Sequence, residues 1–439
     1  MINNYSLYQT RADGTASFVS RYLNIMMLFF PVTAFLLVPV IPGTTIITVL
    51  AGILFFTIPL ATLDNKYWFF TELSYFLAVI LALSFCTQFI NLITNLKLPK
   101  PLILINHNDF TKTFYRKSHL TQSLPLIVGF IIYGYVKYFS NGSVVKYIYW
   151  GLRLLCFYAL YEFAFYMLTG QNGDFVANRT FGEYEKSASL FQTVDLGGIS
   201  MMRIKGYTGE PSMFVFTVFP FWVLSFALKR EFDKYLLLTC LVLTFSTTAY
   251  ACMMLFFGFW VIYKRQFQLF YYMCIAVVVA CFVLQLDRFQ HLLDSIYNFV
   301  FAGKLDGQTA SSRDRSNAFI THVSYWSGLN VFSQVFGIGF GYVRSTDFFS
   351  TLIVNNGLVG IGIFTWFLLK NLWIKFAEPV IAVCYKAGIL LVYIIMMATV
   401  PEFAYPSLWI YIALGFVIKD VKLDEEEEQN TPLTTALIK

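Results

Sequence analysis

A chain of 439 residues in which 58% of side chains are hydrophobic and 13% charged is not a soluble globular domain, which carries about 25% charged residues. Its net charge of +6 is the basic excess expected of cytoplasmic loops in a membrane protein, and does not call for a nucleic-acid partner. The seven cysteines lie in apolar segments without Cys-x-x-Cys spacing and the four histidines are scattered, which argues against a zinc site or a disulfide framework.

In chain order, apolar runs near 22–41, 45–62, 68–95, 122–139, 147–170, 211–228, 235–247, 249–263, 268–285, 347–369, 379–399 and 404–418 predict about twelve transmembrane helices. They belong to one all-α, polytopic membrane domain over 1–439. No short apolar stretch with a small-residue cleavage site opens the chain, so the first run is expected to be a retained span. The two short runs around "FSTTAY" are either separate spans or one kinked element.

The basic clusters "KREFDK" (229–234), "KRQ" (264–266) and "KNLWIK" (370–375) mark the cytoplasmic side. Both termini then lie inside, and 420–439 is expected to be a disordered acidic cytoplasmic tail, because a block of like charge cannot bury itself. The same accounting puts 96–121, 171–210 and 286–346 outside. The first of these carries Lys97, Lys100, Lys112, Arg116 and Lys117, against the positive-inside expectation. Either the topology shifts there, or that surface meets something anionic.

Long loops between spans are commonly functional. The loop 171–210 ends in "GGISMMRIKGYTGEPS". Pro211 suits the first turn of a helix, and Glu210 before it is either a helix-end carboxylate or a group that contacts or deprotonates a substrate hydroxyl. Arg203 and Lys205 are either snorkelling cations at a span end or ligands for an anion. In the loop 286–346, Arg313 and Arg315 stand among Ser311, Ser312 and Asp314. Two fixed guanidinium forks with hydroxyl neighbours suit a diphosphate; the alternative is a local pair with Asp314. His322 and Arg344 are further candidates in this loop. "GIGFG" (337–341) lacks the strand–turn–helix context of a dinucleotide site, and is expected to let backbone pass close to a ligand or a helix. The glycines of "NNGLVGIG" (355–362) are expected to serve helix packing. Glu72, Arg153, Glu162 and Lys386 fall within or near spans, where charge is costly and marks function by default.

Taken in order, "RIKGYTGEPS", "SSRDRS", "FGIGFG" and "NNGLVGIG" on this span pattern resemble the O-antigen polymerase and ligase superfamily, most specifically over residues 200–365. The resemblance implies a glycosyltransferase-C-like fold in the bacterial inner membrane, with 171–210 and 286–346 as catalytic periplasmic loops. It implies transfer of a growing glycan from undecaprenyl diphosphate to the non-reducing-end hydroxyl of a second undecaprenyl-diphosphate-linked repeat unit. Transfer would invert the anomeric carbon without a metal or other cofactor. The implied partners are those two lipid-linked glycans, the bilayer and a polysaccharide chain-length regulator. Carried over residue by residue, Arg203, Arg313 and Arg315, with Lys205 as a helper, would hold the diphosphate. Glu210 would meet the acceptor. Ligases carry a His-Asn pair where this chain has Thr346-Asp347, which favours polymerase over ligase and makes Asp347 a second candidate base. A lipid-linked oligosaccharide flippase is the alternative from another class; the lack of an evident internal repeat weighs against it.

Overall fold

The computed structural model describes residues 17–39, 43–58, 63–94, 96–99, 101–105, 116–179, 192–196, 199–266 and 310–422, with single helical positions at 268, 271, 275 and 279. The acidic tail beyond 422, most of the expected span 268–285 and the start of the loop 286–346 lie outside these residues.

Thirteen helices follow one another among the described residues. They are α1 (Ser17–Met26), α2 (Ile46–Thr57), α3 (Leu63–Ile93), α4 (Lys117–Phe139), α5 (Val144–Thr169), α6 (Pro211–Ala227), α7 (Glu231–Leu243), α8 (Thr247–Lys264), α9 (Ala310–Ser327), α10 (Val331–Phe336), α11 (Phe348–Leu369), α12 (Pro379–Thr399) and α13 (Pro406–Ile418). Six segments, 65–93, 118–139, 144–169, 247–264, 348–373 and 379–399, are long and apolar enough to cross a membrane; α2, α6 and α13 are shorter apolar helices. A hairpin of β1 (Thr193–Leu196) and β2 (Ile199–Met202), paired antiparallel, departs from the purely helical expectation. The run around "FSTTAY" resolves into two helices, because Ser246 ends the turn after α7 and caps α8 by accepting from the Ala249 N–H.

Helices α6 and α13 form the centre. Every residue of α6 except Ser212 and Phe226 is buried, as is all of α13 except Phe416, Val417. A helix that is apolar all round belongs inside a bundle, shielded by the longer spans. Helix α12 packs on both, and glycines set the fit. A methyl at Gly388 would overlap the Tyr411 ring, and one at Gly415 would overlap Tyr385. Those two tyrosines stack at 5.3 Å between the helices.

The bundle has two ends. At one, Asn24 donates to Ser143 (2.8 Å) and Arg153 forks onto Asp233 (2.6 and 3.1 Å). At the other, here the loop face, lie the hairpin, the start of α6, the α11 N-terminus and the 400–405 connection. Residues 102–105 join that face, since the Ile105 N–H donates to Tyr342 (3.0 Å) and the Arg344 N–H to Ile103 (3.1 Å). The described residues 101–105 of the basic segment therefore share a face with the second loop.

The glycine motif is a backbone-to-helix contact. Gly337, Gly339 and Gly341 all have positive φ, and a Cβ at Gly341 would strike the Ser118 carbonyl of α4. Gly357 (φ 62°) breaks α11, and the segment after α10 fills the gap. Ile338 and Gly339 donate to the carbonyls of Val354 and Asn355 at 2.9 and 2.8 Å. Backbone freed by a broken helix is tolerated only when it is satisfied in this way.

Candidate functional site at the loop face

The end of the first loop is rigidly held before any substrate is considered. The Lys205 side chain is fully buried and its ammonium meets two carboxylates, Glu162 of α5 (3.3 Å) and Asp174. The second Glu162 oxygen accepts the Gly206 N–H at 2.9 Å, and Asp174 also accepts from Val176 (3.1 Å) and Ala177 (3.0 Å). Burial opposes ionisation of Asp174, but the Lys205 charge and these hydrogen bonds hold its carboxyl below the usual range. Gly206 (φ 53°) lets the backbone turn against Leu155, and Tyr207 stacks on Tyr158 at 4.1 Å. Lys205 is thus removed from the expected diphosphate cradle: its charge is consumed inside the protein. Glu162 is accounted for by the same cluster, as are Arg153 by Asp233 and Glu72 by Lys137 (2.5 Å).

Two residues earlier, Arg203 has a different surrounding. Its Nε donates to the Thr244 carbonyl (3.0 Å) and Nη1 to the Gln192 side chain (2.7 Å), which aims the fork without neutralising it. Burial and the nearby Arg315 guanidinium push its pKa down to about 10, while Tyr250 and Glu210 act in the opposite sense. Arg315, exposed on α9, is therefore close enough to Arg203 to repel it. The structure brings together these two arginines from loops more than a hundred residues apart in sequence. Arg313 lies one half-turn earlier on α9, and its side chain is outside the described set.

Glu210 occupies the N-cap position of α6 but makes no side-chain cap bond; its Oε2 accepts from Ser212 Oγ at 3.2 Å. Its charge acts on both Arg203 and Arg179. The helix-end explanation covers its place in the chain and leaves its carboxylate among cations.

Asp347 behaves differently. It caps α11, accepting the Ser350 N–H (2.7 Å) and the Ser350 hydroxyl (2.6 Å) on separate oxygens, and is buried. Both oxygens are engaged in ending a helix, so Asp347 is corrected from candidate base to cap. His322 is also structural. It is fully buried, Nδ1–H donates to Ala318 (2.5 Å), and Nε2 accepts the Ile103 N–H (3.3 Å). Burial holds the imidazole below its ordinary pKa, in the neutral form these two bonds require.

Arg344 pairs with Glu402, and Arg179 reaches the same carboxylate at 3.9 Å. Although burial opposes its charge, Arg179 is held above the ordinary guanidinium range by Tyr405, Glu402 and Glu210. Sequence reasoning missed Arg179 and Glu402. A carboxylate in "PEFAYP" at a span end was a visible signal, but nothing local ties it to residues 58 and 223 positions away.

Beneath this cluster an apolar groove of about 420 Å³ runs between α3, α4 and α11. It begins under Phe340 and Phe403 and is lined by Phe76, Phe130, Phe348, Phe364 and Trp409 down to Glu72 and Lys370. From Phe348 to Lys370 the groove follows α11 along a segment long and apolar enough to cross a membrane. Phe340 and Phe403 also line a separate, water-sized cavity of about 10 Å³ with Arg344 and Glu402, so these charges lie just across two rings from the end of the groove. Among the described residues no three His, Cys, Asp or Glu side chains come together as a metal site.

Fold and site together define a polytopic membrane protein with an arginine-rich cluster at one face and a membrane-long apolar groove below it. No protein-family model, curated protein or solved structure gives a match to the chain.

Proposed function

We propose that the protein polymerises a bacterial surface polysaccharide, as an inner-membrane glycosyltransferase whose loop face is periplasmic. Two observations support this reading: Arg203 and Arg315 lie within electrostatic reach of each other at the loop face, with no ion pair to either among the described residues, and an apolar groove between α3, α4 and α11 opens toward the same face. A polyprenyl-diphosphate-linked glycan has this division, with a long apolar chain and a doubly charged head at the membrane surface. A chain lying along α3 and α11 would bring its head to the loop face on which these arginines stand.

In the reaction, the acceptor's non-reducing-end hydroxyl attacks the anomeric carbon of the growing chain, and the C–O bond to undecaprenyl diphosphate breaks. Charge accumulates on the departing diphosphate, and the Arg203 guanidinium, already fixed by Thr244 and Gln192, stabilises it without reorganising. Glu210 is the carboxylate placed to receive or orient the acceptor hydroxyl, because Asp347 is committed to its helix.

The test is to supply purified protein with an undecaprenyl-diphosphate-linked repeat unit and identify the products. A ladder of lengths with released undecaprenyl diphosphate is expected. Transfer only onto lipid A core would make it a ligase, and movement across the bilayer without bond formation would make it a flippase.

A further inference from the structure

Resting on the reading above, we propose that the headgroup seat at the groove mouth is Arg344, and that Glu402 is its exchangeable counter-ion, released to Arg179 behind it when the diphosphate enters. Three observations carry this. The groove ends on Phe340 and Phe403, and the small cavity sharing those two rings is lined by Arg344 and Glu402, while Arg179, Arg203 and Arg315 border neither space. A head following its chain out of the groove therefore meets Arg344 first. Arg344 is the accessible member of the pair, its side chain 39% exposed against 11% for Glu402. Its guanidinium has one hydrogen-bond partner among the described residues, Glu402, which leaves most of its five N–H donors to offer. Lastly, Glu402 is in contact with arginines from both loops, Arg179 at 3.9 Å and Arg344, so one carboxylate holds two cations that would otherwise repel each other.

A strut and a counter-ion make opposite predictions for removing the charge. A strut that aims the arginines weakens ligand binding when lost; a counter-ion competes with the ligand, and its loss strengthens binding. The probe is geranylgeranyl diphosphate, whose chain enters the groove, set beside inorganic pyrophosphate, which has no chain. Binding is measured by equilibrium dialysis on full-length protein in detergent.

Glu402→Gln should bind geranylgeranyl diphosphate about fivefold more tightly than wild type, the worth of a partly exposed ion pair. Arg344→Gln should bind it about fivefold more weakly, and Glu402→Gln with Arg344→Gln should show no gain over Arg344→Gln alone. Pyrophosphate should bind more weakly than the lipid while showing the same order of variants. Where Glu402→Gln is not monodisperse, Arg344→Gln carries the test through its loss. Unchanged or weaker binding by folded Glu402→Gln, or wild-type affinity in Arg344→Gln, overturns the proposal. If Arg203→Ala loses binding while both these variants match wild type, the diphosphate reading stands and only this assignment falls. No binding of either probe by wild type overturns both.

Discussion

Arg203 and Lys205 are separated by one residue and have opposite roles. Lys205 is sealed between two carboxylates at no exposure; Arg203 is aimed by neutral acceptors and faces another arginine. The difference teaches how to read charge at the edge of a membrane. A neutralised, buried cation is a structural tie, here fastening the first loop to α5. A cation held in place yet left uncompensated is unfavourable to the empty protein, and on the function proposed above its use is an anion that arrives later. The pairs Arg153–Asp233 and Lys137–Glu72 belong with Lys205, and the exposed Arg315 adds repulsion at Arg203.

The largest effect expected from breaking this comparison is on the structural side. Lys205→Met leaves Glu162 and Asp174 buried without their cation and should cost about 3–5 kcal/mol. Thermal unfolding in detergent should show a large loss, and steady-state protein in the membrane should fall with it. Arg203→Ala should do the reverse. Its melting temperature should stay near wild type, while turnover falls by about 10²–10³, the usual cost of one preorganised donor to a developing anion. Comparable melting losses in both variants would erase the distinction.

The charged form of Arg203 is disfavoured in the empty protein, so bound diphosphate should raise the melting temperature at neutral pH.

Smaller effects are expected from the two residues reassigned to structure. Asp347→Ala removes a helix cap and should cost about 1 kcal/mol with little change in turnover per folded molecule. For His322 the sign follows from its lowered pKa. The unfolded chain takes up a proton below about 6.5 while the folded chain resists, so this contribution is present above that pH and is lost as pH falls through the window below it. His322→Asn should flatten that part of the acid limb in an unfolding series.

Much of the fold was legible because span length and apolar runs are local properties. Pro211 opens α6 where the sequence placed it, and "FSTTAY" separates two helices by an ordinary serine cap. The twelve expected runs were not all equivalent, since α6 and α13 are short and wholly enclosed, which average hydropathy does not distinguish from a lipid-facing span. For the site, residue type was informative and partnership was not. The sequence marked Arg203, Lys205 and Glu210 equally, but whether a charge is neutralised depends on Glu162 and Asp174 for one, and on Arg315 for another. Arg179 and Glu402 were illegible for the same reason: their meaning lies in contacts between both loops and the last connection.

The most direct test is the rate of undecaprenyl diphosphate release from a lipid-linked repeat unit by wild type and Arg203→Ala, each normalised to folded protein. The account predicts release coupled to chain growth in wild type, and a loss of about 10²–10³ in the variant at an unchanged melting temperature. Equal rates, or a loss that only follows a lower melting temperature, would contradict it.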